Sequence, residues 1–140
     1  ISPPHVVSIY LSLLSPLQFD PMMDMVLASG HSCCPKFKKF LWQHWDYPKT
    51  CVYPYCDVMM SKKGLFGKLK HTFIHAPIKM IINICHGEGI YLGNGWFKSK
   101  RLFYITRCTF NCKTGHYTGA CMVMRIIVKC KCGFPVAIKE

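Results

Sequence analysis

Acidic residues are scarce in this chain: six Asp and Glu stand against 18 Lys and Arg in 140 residues. The formal charge of +12 draws polyanions such as nucleic acid, sulfated glycans or anionic membrane surfaces, by long-range attraction and by counterion release on contact. Simple solubility is the plain alternative. Cations are missing from the start of the chain, since no Lys or Arg precedes Lys36 and only Asp20 and Asp24 are charged before it. The basic character therefore belongs to the downstream part. Long apolar runs are lacking too. The twelve residues from Val6 to Leu17 fall short of the about 20 needed to cross a bilayer, which excludes a transmembrane span there and fits the hydrophobic region of a signal peptide. Residues 1–31 are accordingly expected to be a leader outside the mature fold, with Ala28-Ser29-Gly30 as the cleavage neighbourhood. Paired C-x-x-C spacings, the usual mark of a zinc site, are absent, so neither a metal nor a cofactor is expected. There is no internal repeat, heptad run or low-complexity tract.

What is present is cysteine: ten residues, all from Cys33 onward, which favours an oxidised, disulfide-stapled, secreted protein. With 51% hydrophobic residues the chain suffices for one domain with a real core, placed at residues 32–140. Phe37, Phe40, Leu41 and Trp45 sit at helical spacing, predicting a helix over Lys36–Trp45 that Pro48 closes. A second helix is expected over Tyr55–Lys63, stopped by Gly64. The run after Pro77, up to Cys85, reads as a helix or a strand. Leu102–Thr106, Cys121–Lys131 and Phe134–Ile138 read as strands, with Asn111–Gly119 as turn. Helices first and strands later imply an α+β domain.

Four ordered segments carry a resemblance. They are Lys39-Phe40-Leu41-Trp42-Gln43-His44-Trp45-Asp46, Tyr55-Cys56-Asp57-Val58-Met59-Met60 and Lys68-Leu69-Lys70-His71-Thr72-Phe73-Ile74-His75. The fourth combines Ile105-Thr106-Arg107-Cys108 with Arg125 to Cys130 and Pro135-Val136. From Lys36 to Glu140 the chain resembles the pancreatic-type ribonuclease (ribonuclease A) superfamily. That resemblance implies three short helices packed on a strongly bent, disulfide-stapled antiparallel sheet. It also implies RNA cleavage through a 2′,3′-cyclic phosphate: one histidine takes the proton of the 2′-hydroxyl, a second protonates the leaving oxygen, and a lysine steadies the anionic phosphorus centre. His44 matches the base and Lys68 the cation. Gln43, Thr72 and Lys39 match residues that contact phosphate or the pyrimidine. The acid is expected after Pro135-Val136, but Ala137 stands there, and Lys139 replaces the acidic residue that orients the missing histidine. His71, nearest the site by motif, occupies a base-recognition position with no evident route to the leaving oxygen.

The same resemblance implies bridges Cys56–Cys108 and Cys85–Cys130. A third would join Cys121 to the residue before Lys68, which is Gly67, so a Cys112–Cys121 bridge is expected as a substitute. Cys33, Cys34, Cys51 and Cys132 remain unassigned. Without the motif, His44 would be a polar residue on a packed helix and Lys68 part of a solvated basic face. His75 reads as a structural histidine, and Met59 and Met60 as core filler. The expected protein is secreted and binds RNA, another polyanion, or an anionic microbial or cell surface. Its hydrolysis is absent or strongly reduced, and superfamily resemblance suggests a host-defence or reproductive-tract role. The alternative is an active pyrimidine-preferring endoribonuclease.

Overall fold

The computed structural model describes residues 34–140; the expected leader lies outside the described residues. Helix α1 (Cys34–His44) begins with Pro35 in its first turn, where a missing N–H is tolerated. It buries Phe37, Phe40 and Leu41 completely or nearly so. Just past its end, the Trp45 indole donates to the Ala76 carbonyl at 2.8 Å. The Asp46 amide donates to Ile74 O at 3.0 Å. These two bonds fix the helix exit against the strand that follows the second helix. Helix α2 (Tyr55–Lys62) stops at Gly64, whose φ of 71° suits glycine. Its buried Met59 and Met60 pack with Phe73, Tyr117 and the Cys56–Cys108 bridge.

After strand β1 (Lys70–Ile74), the segment left open between helix and strand is helical. Helix α3 (Ile78–Ile82) runs into a 3-10 turn at Asn83–Cys85, and Ile78, Ile81, Ile82 and Ile84 enter the main core. Six strands follow: β2 (Gly89–Gly93), β3 (Trp96–Ser99), β4 (Phe103–Asn111), β5 (His116–Met124), β6 (Ile127–Lys131) and β7 (Phe134–Ile138). They form two antiparallel sheets, ordered β1-β4-β5 and β2-β3-β6-β7. The architecture is the expected α+β one, with the sheet divided in two.

Three expectations need correction. The run Cys121–Lys131 is two strands, because at Ile126 the chain passes from one sheet to the other. There Ser99 Oγ accepts from the Ile126 amide at 2.9 Å and the Ser99 amide donates to Ile126 O at 2.8 Å. The turn expected over Asn111–Gly119 is confined to the four residues between β4 and β5, since Gly115 with φ 75° closes it by donating to Asn111 O at 2.8 Å. The third concerns cysteine. Cys56–Cys108 and Cys85–Cys130 are bonded as expected, with Cα separations of 5.7 and 5.8 Å, and Cys132 is disulfide-bonded as well. Cys112, Cys121 and Cys51 are free and exposed, so the Cys112–Cys121 substitute does not form. The register explains this. Cys112 lies in the tight turn beyond the Asn111–His116 pair, while Cys121 faces Thr106. Five residues of extended chain separate His116 from Cys121, about 16 Å, far beyond the roughly 7 Å a bridge tolerates between Cα atoms.

Candidate active site

Two of the segments that carry the resemblance, Lys39–Asp46 and Lys68–His75, meet where α1 crosses β1. His44, the last residue of α1, is 6% exposed and donates from Nδ1 to the Thr72 carbonyl at 2.8 Å. Its ring stacks on that of His71, with centroids 4.4 Å apart and planes 13° from parallel. Burial, followed by repulsion from His71, pushes the His44 pKa down to about 3, with a smaller contribution from Lys68. The ring is therefore neutral at physiological pH, with its proton on Nδ1 and a lone pair on Nε2. That is the protonation state a general base needs.

His71 is wholly buried and its two nitrogens are both occupied. Nε2 donates to the Gln43 carbonyl at 2.6 Å, and Nδ1 accepts from the Lys68 ammonium at 2.9 Å. Burial holds its pKa below the ordinary histidine value. Lys68 also donates to Glu140 Oε2 at 2.8 Å, so a carboxylate two residues past β7 closes the corner. Glu140 was not among the residues the sequence suggested. It lies 72 positions from its partner, and the only signal for it was an isolated acid among late cations.

Among the described residues, His44, His71 and Glu140 present ligand atoms within 4.8 Å of one another. The donor set nevertheless suits a metal ion badly. Stacked imidazoles direct their lone pairs along nearly parallel planes instead of toward one point, and the Lys68 ammonium already sits between His71 Nδ1 and Glu140.

The remaining expected residues are placed unevenly. Thr72 is 1% exposed, and its hydroxyl has no hydrogen-bond partner; the same holds for Arg107 Nε. The two residues are paired across β1 and β4. Both line a cavity of about 210 Å³ together with Ile138, Lys139 and Glu140. Gln43 reaches the cluster through its backbone carbonyl. Lys39 is exposed on α1, outside the hydrogen-bonded cluster. Ala137 is paired with Lys129 in the β6–β7 ladder and brings only a methyl group. His75 donates to Asp46 O at 2.7 Å and contacts Thr106 Oγ1 at 2.7 Å, so both of its nitrogens are engaged in structure. A basic row with an aromatic ring lies beside Ala137. Trp96 pairs with Lys129, and the Lys129 and Lys139 ammoniums lie 6.0 and 5.2 Å from its ring centroid.

The description pancreatic ribonuclease matches residues 35–139. A ribonuclease of Chelonia mydas is 32% identical over 111 residues, covering 72% of this chain and 93% of that protein. Angiogenin-3 of Mus musculus is 33% identical, with 75% and 77% covered. The crystal structure of green turtle egg white ribonuclease superposes with a TM-score of 0.70 at 31% identity, covering 75% of this chain and 97% of that one. With the family match over residues 35–139 and relatives above 30% identical, the chain belongs to the pancreatic ribonuclease family.

Proposed function

We propose that this chain is a secreted, basic, ribonuclease A-like protein that binds RNA in a phosphate-compatible groove and cleaves it weakly or not at all. The observation that carries this reading is the proton inventory of the corner. His44 Nε2 is a free lone pair on a neutral ring, while both nitrogens of His71 are committed and the place of the acid is a methyl. Attack by a 2′-hydroxyl has its base and, in Lys68, a cation for the phosphorus centre. Departure of the 5′-oxygen lacks a positioned proton donor, a loss of about 10²- to 10⁴-fold.

Binding does not need that donor. The described residues contain 18 Lys and Arg and four acids, Asp46, Asp57, Glu88 and Glu140, and each acid is already engaged by a neighbouring side chain. Excess cations cluster along β6 and α1, where hydrogen bonding and repulsion from Lys131 hold the Lys36 ammonium below its ordinary pKa. The unpartnered Thr72 hydroxyl and Arg107 Nε fit a ligand with a polar edge, as a pyrimidine has. Secretion is supported by the disulfides and by the family.

Turnover of a pyrimidine-adenosine dinucleotide, compared with its His44→Ala variant, tests the reading. The expected result is RNA binding that weakens with salt, with turnover near background. Turnover well above background that vanishes in His44→Ala overturns it in favour of a working endoribonuclease. Absence of any RNA binding at low salt overturns the binding half.

A further inference from the structure

A second cavity, of about 470 Å³, lies behind β4. Thr106 lines it, whereas its neighbour Arg107 lines the smaller cavity beside Thr72, as expected where alternate residues of a strand face opposite sides. The volume falls within the roughly 300–1,000 Å³ of sites that enclose a small ligand. Its wall is largely apolar, built by Tyr47, Pro48, Tyr104, Met122 and Val123. Tyr104 and Val123 remain 68% and 50% exposed, so apolar surface stays in water there, and covering it is favourable.

Most polar groups of the wall are already spent. His75 uses its two ring nitrogens on Asp46 O and Thr106 Oγ1, which occupies the Thr106 hydroxyl as well. The Asp46 carboxylate is turned to Thr50 and Tyr55. One ammonium stands apart. Lys49 Nζ lies 3.3 Å from Cys121 Sγ and 4.7 Å from the centroid of the Tyr55 ring, and both Lys49 and Cys121 line the cavity. A thiol is a weak acceptor and an ammonium carries three donors, while a ring face attracts the charge without neutralising it. The four acids among the described residues are engaged by other side chains. Lys49 is thus a cation at an apolar wall, held by two soft partners and by no carboxylate among the described residues.

We propose that this cavity binds a small amphipathic carboxylate, its apolar body against Tyr47, Tyr104 and Val123 and its head on the Lys49 ammonium. An uncharged apolar ligand would draw water from the ammonium without replacing it. Inorganic phosphate would satisfy the ammonium and leave the apolar wall wet. A molecule that joins the two chemistries matches both. The site shares neither Lys68 nor His44 with the active corner, so it stands apart from RNA binding there.

The test uses the full chain, with Cys121 as a reporter in the cavity wall. Alkylation by iodoacetamide without reductant is followed at each thiol by peptide mass mapping. Cys112, also free and exposed but outside the cavity lining, is the internal standard. Decanoate, kept below its micellar concentration, is expected to slow alkylation of Cys121 about tenfold at about ten times its dissociation constant, with Cys112 unaffected. Decanol has the same body without the charge, and Lys49→Ala removes the cation. Each should raise the half-protecting concentration about two- to fivefold, as suits an ion pair at a solvent edge. Because Lys49→Ala also alters the thiol itself, protection is read as the ratio of rates with and without decanoate. Val123→Glu, at an exposed position, places a like charge on the wall and should remove protection. Protection of both thiols alike, or of neither, overturns the site. Decanol or inorganic phosphate protecting as well as decanoate, or an unchanged ratio in Lys49→Ala, overturns the pairing of an anionic head with an apolar body. Full protection in Val123→Glu places the ligand elsewhere and overturns the proposal too.

Discussion

The wall of the groove made by α1 and β1 and the wall made by β7 differ in how firmly their chemistry is held. On the first, two backbone carbonyls orient two stacked imidazoles, and a lysine caps the pair. On the second, Ile138, Lys139 and Glu140 line the cavity that Thr72 and Arg107 share, Lys139 leans toward the Trp96 ring, and Glu140 reaches over to neutralise the lysine of the first wall. On the proposed reading, a base is held in place opposite a missing acid, so the orientation of the one does not depend on the other. The carbonyls that orient His44 and His71 belong to β1 and α1, so that orientation does not rest on β7, whereas the Lys68 ammonium on His71 comes from the connection before β1 and is itself paired with Glu140.

The largest expected effect follows from refilling the second wall. Ala137→His combined with Lys139→Asp supplies a proton donor and a carboxylate to orient it. Turnover of a pyrimidine-adenosine dinucleotide is expected to rise by about 10²- to 10⁴-fold, and His44→Ala in that background should abolish the gain. If the double variant folds and shows no increase, the two walls are not poised across one scissile bond and the comparison fails.

A second measurement probes the first wall alone. His44 has an unfolded pKa of about 6.5 and a folded value of about 3, so between these values the unfolded chain binds more protons. Stability must then rise with pH across that window, and it is lost as pH falls from about 6.5 toward about 3, at up to about 1.4 kcal/mol per pH unit. Burial lowers His71 and His75 as well, which adds to the slope in the same direction. Urea midpoints measured at several pH values should give a shallower dependence in His44→Asn than in the unmodified chain. An unchanged slope would mean His44 is not held neutral.

Legibility in the sequence follows the range of the interaction. Helix α1 was readable because Phe37, Phe40, Leu41 and Trp45 repeat at 3.6-residue spacing on the face that became buried. The two bridges were readable because the motifs around Cys56, Cys85, Cys108 and Cys130 resemble a family. The β2–β3 hairpin went unread although Asn94 and Gly95, both with positive φ, are a hairpin turn signal. Its strands are short and mostly exposed, without an alternating buried face. The break at Ile126 depends on Ser99, 27 residues away, and the failed Cys112–Cys121 bridge depends on a ladder register that no local pattern announces. The resemblance likewise named His44, Lys68 and Thr72, while Glu140 reaches Lys68 through a contact that only the folded chain creates.

The smallest effect concerns the one carboxylate that joins the two walls. Glu140 Oε2 lies 2.8 Å from Lys68 Nζ, with the two side chains 21% and 42% exposed. An ion pair so open to solvent is worth at most about 1 kcal/mol, yet it competes directly with any incoming phosphate for the same ammonium. Glu140→Gln keeps the shape and a hydrogen-bond acceptor while removing the charge. Affinity for inorganic phosphate at low ionic strength should therefore rise by about two- to fivefold, within that limit. The gain should shrink as salt is added, because screening weakens the exposed pair and the phosphate contact alike. No change at low salt would place the bound anion away from Lys68, and a decrease would mean that Glu140 orients the lysine instead of competing for it. Either result would turn the apparent neutralisation of the first wall by the second into plain support.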